Sequence, residues 1–117
     1  MISKETGEHY SWGEVCDGWH LVRKAELSVI QERMPAGAAE VRHHHKNARQ
    51  FFFVLSGTAT FEIGGRREIL RAQHGIEVAP SIPHQMFNES GEAIEFLVIS
   101  QPASHGDRVL EETENPK

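Results

Sequence analysis

The sequence predicts an all-β fold, a sandwich or a barrel, and three observations support this prediction. From position 35 to position 102 most successive glycines and prolines lie no more than eleven residues apart, which is typical of the frequent turns in such folds. The intervals between them are short and rich in Val, Ile, Phe and Thr, which strands favour. No long stretch shows the apolar period of about 3.6 residues that marks an amphipathic helix. We therefore expect little helix.

Turn residues divide the chain into a series of predicted strands, beginning with one or two before position 27. Residues 58–63 alternate strictly between two faces, and Gly64-Gly65 separates them from residues 66–70, which predicts a hairpin with a tight glycine turn. The other strands are predicted at residues 27–34, 39–45, 50–56, 75–79, 84–88 and 93–100. We expect residues 104–110 to end the fold and residues 111–117 to form a polar, frayed tail.

Residues 50–55, QFFFVL, differ from the other predicted strands because both of their faces are apolar and need to be covered. A small antiparallel barrel has little material for a second layer. We therefore expect a homodimer in which Phe51, Phe53 and Leu55 contribute to the interface. The alternative is cover within the chain, by the N-terminal segment that contains Trp12 and Trp19.

The composition argues against several classes of protein. A chain of 117 residues with 38% hydrophobic residues is long enough for one globular domain. Its longest apolar run has five residues, whereas a membrane-spanning helix needs about 20. The polar N-terminus does not resemble a secretory signal, and a single cysteine, Cys16, fits a reducing compartment, so a cytoplasmic location is expected. A net charge of −5 without a basic stripe argues against nucleic acid and anionic membranes as partners.

The chain has eight histidines, and three of them are consecutive near the end of a predicted strand. Because side chains alternate along a strand, His43 and His45 point the same way and can bind one metal ion, while His44 points to the opposite face. A turn returns the chain to Gln50, which offers an oxygen. His84 begins a later strand and offers a third imidazole. Taken alone, a histidine run has an alternative explanation as a solvated loop.

The spacing around these histidines follows a known motif. Gly37, five residues, His43-x-His45, four residues, Gln50, six residues and Gly57 reproduce the first motif of the cupin family at every position, with Gln where the family most often has Glu. The chain therefore resembles a cupin.

The second cupin motif is matched by Gly75, Pro80, His84 and Asn88, although Ile82 stands where the family often has Gly. The two motifs occur in the expected order, and the resemblance spans about residues 27–100.

The resemblance implies a double-stranded β-helix, or jelly roll, with one divalent metal ion inside. Residues 27–100 are then the barrel, residues 1–26 a strand and cover segment of the same domain, and residues 101–117 a turn and tail. By carry-over the metal ligands are His43, His45, Gln50 and His84. Imidazole ligands favour Zn, Ni, Fe, Mn or Cu over Ca or Mg.

Gln50 is the most informative departure from the family, because an amide oxygen is neutral and leaves the ion with its full +2 charge. Such an ion is a stronger Lewis acid and binds less tightly than one with a Glu ligand. Gln50 also cannot act as a general base, whereas a carboxylate at this position can.

A shell of three His and one Gln resembles that of small cupins that convert unsaturated uronates from pectin degradation into linear ketonates. We therefore expect an isomerase or lyase acting on a small sugar-derived carbonyl compound. Those proteins use an acidic residue on the last barrel strand, where this chain has only Glu95, and the alternation that turns Phe96 inward turns Glu95 away. The alternatives are a metal-dependent dioxygenase and a non-catalytic cupin that binds a small ligand. No general acid or base can be identified from the sequence.

Overall fold

The computed structural model describes residues 1–104 and 106–111, so the predicted tail beyond Glu111 lies outside the described residues. The strands are β1 (Glu8–Trp12), β2 (Cys16–Arg23), β3 (Ser28–Met34), β4 (His43–His45), β5 (Arg49–Ser56), β6 (Thr58–Ile63), β7 (Arg66–Arg71), β8 (Gly75–Val78), β9 (His84–Phe87), β10 (Ile94–Gln101) and β11 (Arg108–Leu110). No helix occurs in this part of the chain, and none is therefore long and apolar enough to cross a membrane.

The all-β prediction is confirmed, and so is the glycine hairpin between β6 and β7. Gly64 and Gly65 both have positive φ, 55° and 86°, as a tight hairpin turn requires. Two differences stand out. The strand expected at residues 39–45 is reduced to the three histidines of β4, with Ala39 forming only an isolated bridge to Phe87. The short strand β11 was not predicted, and it pairs with β4.

The strands form two antiparallel sheets that face each other, as the implied jelly roll requires. One sheet has six strands in the order β1-β2-β3-β10-β5-β8, and the other has five in the order β11-β4-β9-β6-β7. The apolar core between the sheets includes Phe52, Val54, Phe61, Met86 and Phe96, each at most 2% exposed. This core fixes the two sheets against each other and thereby positions the side chains that both sheets turn inward.

The outer face of the six-stranded sheet carries the apolar side chains predicted for β5. Phe51 is 39% exposed and its ring stacks on that of Phe53, with centroids 6.1 Å apart. Trp12 and Trp19 lie in β1 and β2, which β3 and β10 separate from β5 within the same sheet. The N-terminal segment extends this sheet at its far edge, and it leaves Phe51 open.

Candidate metal centre

Two neighbouring strands bring the three predicted imidazoles together. His43 and His45 lie on one face of β4, and His43 is directly opposite His84, the first residue of β9. Ring centroids are 4.4 Å apart for His43 and His84, and 5.0 Å apart for His43 and His45. The ligand nitrogens of all three lie within 4.8 Å of one another, and all three residues are buried. His44 points to the other face, where its Nδ1 lies 3.3 Å from Glu111.

Backbone carbonyls fix the orientation of two of these rings. His43 Nδ1 donates to the carbonyl of Val41 at 2.7 Å, and His84 Nδ1 donates to that of Ile82 at 3.0 Å. The Nε2 atom of each ring then carries a lone pair. His84 Nε2 is buried and has no hydrogen-bond partner among the described residues, and neither has Nδ1 of His45. Unpaired buried nitrogens with free lone pairs are the donors that a transition metal ion needs.

Gln50 reaches the same region from the opposite sheet, at the start of β5. Its Nε2 donates to Ser100 Oγ at 3.0 Å, which fixes the orientation of the amide. The Oε1 atom is buried and accepts no hydrogen bond from any described residue. The donor set of three imidazoles and one amide oxygen therefore fits a borderline transition metal. The assignment of these four residues as ligands stays a prediction.

Burial keeps the histidines neutral. It lowers the pKa of His43 to about 3 and that of His45 to about 4, and the neighbouring imidazole of His84 acts in the same direction on both. Burial also lowers the pKa of His84. Neutral imidazoles present lone pairs instead of protons, so at neutral pH no proton competes with a metal ion for these nitrogens.

His43 and His45 line a cavity of about 480 Å³, which lies within the usual size of small-molecule sites. Gln50 and Phe52 also line it. The wall also contains residues that the sequence analysis did not identify as functional: Tyr10, Glu32, Glu40 and Arg108. Only the alternation of β3, which turns Glu32 to the same side as buried Met34, could have indicated one of them in advance.

The turn between β4 and β5 is held by a carboxylate from the far end of the chain. Asp107 accepts hydrogen bonds from the backbone nitrogens of Lys46, Asn47 and Ala48, with shortest distances of 3.0, 2.9 and 2.9 Å. Burial acts against the charged form, but these amides hold the pKa of Asp107 below its usual range. The clamped turn connects His45 to Gln50.

Glu95, the acidic residue of the last barrel strand, does not reach the cavity. Phe96, Val98 and Ser100 are buried on the inner face of β10. Glu95 lies on the outer face, where it accepts hydrogen bonds from Lys4 at 3.0 Å and from Gln31 at 2.8 Å. Glu95 is therefore held on the outer face of the sheet and cannot contact a molecule beside the histidines.

Comparisons with known proteins agree with this architecture. The sequence model of the cupin-domain family matches residues 30–100 of the chain. No sequence among curated proteins matches it.

Many solved structures share the fold. KdgF from Halomonas sp. has a TM-score of 0.80 at 13% identity, over 88% of this chain and 93% of that one. A sugar phosphate isomerase of the cupin superfamily from Silicibacter pomeroyi also reaches 0.80, at 15% identity, over 88% and 76%. The polyketide cyclase RemF from Streptomyces resistomycificus reaches 0.81 at 14% identity, over 97% and 86%. At these identities the likeness concerns the fold.

Proposed function

This chain belongs to the cupin family, and from that premise we propose that it is a metal-dependent isomerase or lyase acting on a small sugar-derived carbonyl compound. In this proposal His43, His45, Gln50 and His84 hold one divalent transition metal ion, either Zn, Ni, Fe, Mn or Cu. The observation that carries the proposal is the convergence of the three imidazoles, with nitrogens within 4.8 Å, beside the unpaired amide oxygen of Gln50.

The surroundings of this cluster support a small polar substrate. The cavity combines an apolar part, which includes Ile30, Phe52 and Val98, with polar groups such as Tyr10 and Arg108. A wall of this kind offers apolar contacts together with hydrogen-bond partners for hydroxyl or carboxylate groups. Arg108 suits an anionic group of the substrate, because a guanidinium binds a carboxylate or phosphate with two parallel hydrogen bonds.

When bound, a divalent ion would supply Lewis-acid polarisation of a carbonyl oxygen. The chain itself orients the ligands, through the carbonyls of Val41 and Ile82 and the hydroxyl of Ser100. Because Gln50 is neutral, it leaves the full charge of the ion available for polarisation, and it leaves the removal of a proton to another residue.

The proposal is tested by elemental analysis of untagged protein that has never contacted a nickel column, since His43 to His45 can bind column metal. The protein is then loaded with Zn²⁺ or Co²⁺ and incubated without oxygen with aldoses, sugar phosphates and uronates, and the products are followed by NMR. About one metal ion per chain and conversion of a carbonyl compound without oxygen are expected. Oxygen uptake with a redox metal supports a dioxygenase instead, and metal binding without turnover supports a binding protein. Failure to bind any metal contradicts both metal-dependent enzymes and leaves a non-catalytic cupin that binds a small ligand.

We also propose that the protein is a homodimer, joined through the outer face of the six-stranded sheet. The exposed ring of Phe51 stacks there on the half-buried ring of Phe53, and β1 and β2 lie at the far edge of the same sheet. A second copy of the chain is the occupant that this apolar face suits. Phe51→Glu should convert the dimer to a monomer in analytical ultracentrifugation, whereas Ile69→Glu, on the other sheet, should not. A wild-type monomer at every concentration contradicts the proposal.

A further inference from the structure

Two acidic side chains lie in the cavity wall and are not metal ligands in the proposed function. Glu32 extends from β3, and Glu40 from the loop between β3 and β4. Both line the cavity that His43 and His45 also line, and no other acidic side chain among the described residues does so. The cavity therefore contains two carboxyl groups for which metal binding gives no role.

Each carboxyl group is fixed by one hydrogen bond that leaves its second oxygen available. The hydroxyl of Tyr10 donates to Glu32 Oε2 at 2.6 Å. The backbone nitrogen of Met86 donates to Glu40 Oε1 at 2.9 Å. Neither Glu32 Oε1 nor Glu40 Oε2 accepts a hydrogen bond from a described residue. Anchored in this way, each group can exchange a proton with a molecule in the cavity without changing its own position.

The environment sets the proton affinities of the two groups near neutrality. Burial raises the pKa of Glu32 to about 7, although the hydrogen bond from Tyr10 and the charge of Arg108 oppose the shift. Burial and the charge of Glu32 raise the pKa of Glu40 to about 8, against the opposing effects of the Met86 amide and Arg108. In the metal-free protein the charge of Glu32 favours a proton on Glu40, so ionisation of one carboxyl group stabilises the protonated form of the other. A pair with one charged and one protonated carboxyl group can supply the base and the acid of one site.

We propose that Glu32 and Glu40 are the proton-transferring pair of the cavity, with Glu32 as the general base and Glu40 as the general acid for a 2-hydroxy carbonyl compound. This inference rests on the proposed function. It assigns the proton transfer to these two residues because Gln50 has no ionisable group and Glu95 lies on the outer face of the sheet. Tyr10 is a positioning residue in it, because its hydroxyl holds the carboxylate of Glu32.

The proposed step conserves atoms and electrons. The carboxylate of Glu32 takes the proton from the carbon that bears the hydroxyl group, and the electron pair of the broken C–H bond forms a C=C bond. The carboxyl group of Glu40 gives its proton to the carbonyl oxygen, which produces an enediol. Glu40 then removes the proton of the other hydroxyl group, and Glu32 returns its proton to the former carbonyl carbon. The carbonyl group has moved by one carbon, and both carboxyl groups have regained their initial states.

The experiment follows exchange of the carbon-bound proton with solvent in D₂O by ¹H NMR, on Zn²⁺-loaded protein with glyceraldehyde, glucose 6-phosphate and glucuronate as probes. Glu32→Gln and Glu40→Gln should each slow the exchange about 10²- to 10⁴-fold. Glu95→Gln is the matched control, an acid of the outer face, and should leave the exchange rate within twofold. Tyr10→Phe should move the pH profile of the exchange and should not abolish it.

A second readout needs neither metal nor substrate. In metal-free protein labelled with ¹³C at the Glu side-chain carboxyl carbons, Glu32 should titrate near neutral pH, and Tyr10→Phe should shift its titration. Titration of Glu32 in the ordinary range overturns the inference whatever the activity.

The two proposals fail in different ways. Exchange that persists in both Glu32→Gln and Glu40→Gln overturns the acid and base assignment and leaves the proposed function standing. No exchange by wild-type protein on any of the three probes removes the isomerase proposal, and the assignment with it.

Discussion

Removal of the Asp107 carboxylate should weaken both the fold and the metal centre. The Asp107 carboxylate accepts hydrogen bonds from the backbone N–H groups of Lys46, Asn47 and Ala48. In Asp107→Ala the Lys46 amide keeps its second acceptor, the carbonyl of residue 107 at 3.3 Å, whereas the amides of Asn47 and Ala48 lose theirs. Water replaces the carboxylate because the site is close to the surface, so each of these two lost bonds costs only about 0.5 kcal/mol. The total is about 1 kcal/mol, which corresponds to a fall in Tm of roughly 4 °C for a domain of this size.

The effect on metal binding comes from the position of the turn, which connects His45 to Gln50. Without the Asp107 carboxylate, His45 and Gln50 remain in their strands, but the distance between them is no longer fixed by the turn. Loss of such a supporting contact lowers metal affinity about 10- to 100-fold. Co²⁺ titration followed by visible absorption measures the affinity and the coordination together. Urea unfolding of EDTA-treated protein measures the stability separately.

Two controls make this prediction specific. Asp107→Asn retains one acceptor oxygen and should fall between wild type and Asp107→Ala in both assays. Asp17→Ala removes a partly exposed carboxylate whose side-chain partner is His9, and should leave Co²⁺ affinity unchanged. If Asp107→Ala binds Co²⁺ as tightly as wild type with the same spectrum, the clamp does not position the ligands and the reasoning is refuted.

Three further predictions concern the centre and its cavity. His84→Ala should lower metal content sharply in elemental analysis while circular dichroism still shows the folded protein, because the apolar core remains; unchanged metal stoichiometry would contradict the assignment of this ligand. Gln50→Glu should raise Co²⁺ affinity about tenfold, since a carboxylate binds a divalent cation more strongly than an amide, and an affinity equal to or below that of wild type would argue against position 50 as a ligand. In metal-free protein the free energy of unfolding should be highest near pH 6.5. It falls at lower pH because the three histidines are protonated in the unfolded chain before they are protonated in the folded protein. It also falls by about 1 kcal/mol between pH 7 and 8.5, because Glu32 and Glu40, whose pKa values are raised from 4.5 to about 7 and about 8, lose in this range the protons that the unfolded chain has already lost. Urea unfolding across this range tests the curve, and Glu40→Gln should remove most of the alkaline fall.

The strands could be predicted where their signals are local. Strict alternation and two glycines defined the hairpin of β6 and β7 without any knowledge of the rest of the chain. The strand β11 has no such signal, because its three residues become a strand only through pairing with β4, which lies more than sixty positions earlier. Residues 39–42, which were predicted as part of a strand, form a loop for a related reason. The side chain of Glu40 is held by a hydrogen bond from the backbone amide of Met86, which lies in another strand.

The candidate site shows the same difference between residues with a local sequence signal and residues defined by long-range contacts. The three histidines and Gln50 could be predicted as candidate ligands because the two motifs place them at fixed spacings, and alternation along the strands then gives the direction of each side chain. Glu32, Glu40 and Asp107 have no unusual neighbours in the sequence. Their properties come from contacts with Tyr10, Met86 and the turn after His45, which depend on how the sheets pack. A single sequence does not encode such contacts as a readable pattern.

The proposed neutral ligand set and the buried acids form one electrostatic arrangement. Three imidazoles and the amide of Gln50 bring no negative charge to a divalent ion, whereas Glu32 and Glu40 place two ionisable groups in the same cavity. In a shell with Glu at position 50, one carboxylate would both reduce the charge of the ion and provide the nearest base. In the proposed site the two roles are on different residues, so the ion keeps its polarising power and the base is a carboxyl group that does not bind the ion. It follows that Gln50→Glu, although it tightens metal binding, should slow proton exchange, because it weakens the Lewis acid and adds a second negative charge near Glu32.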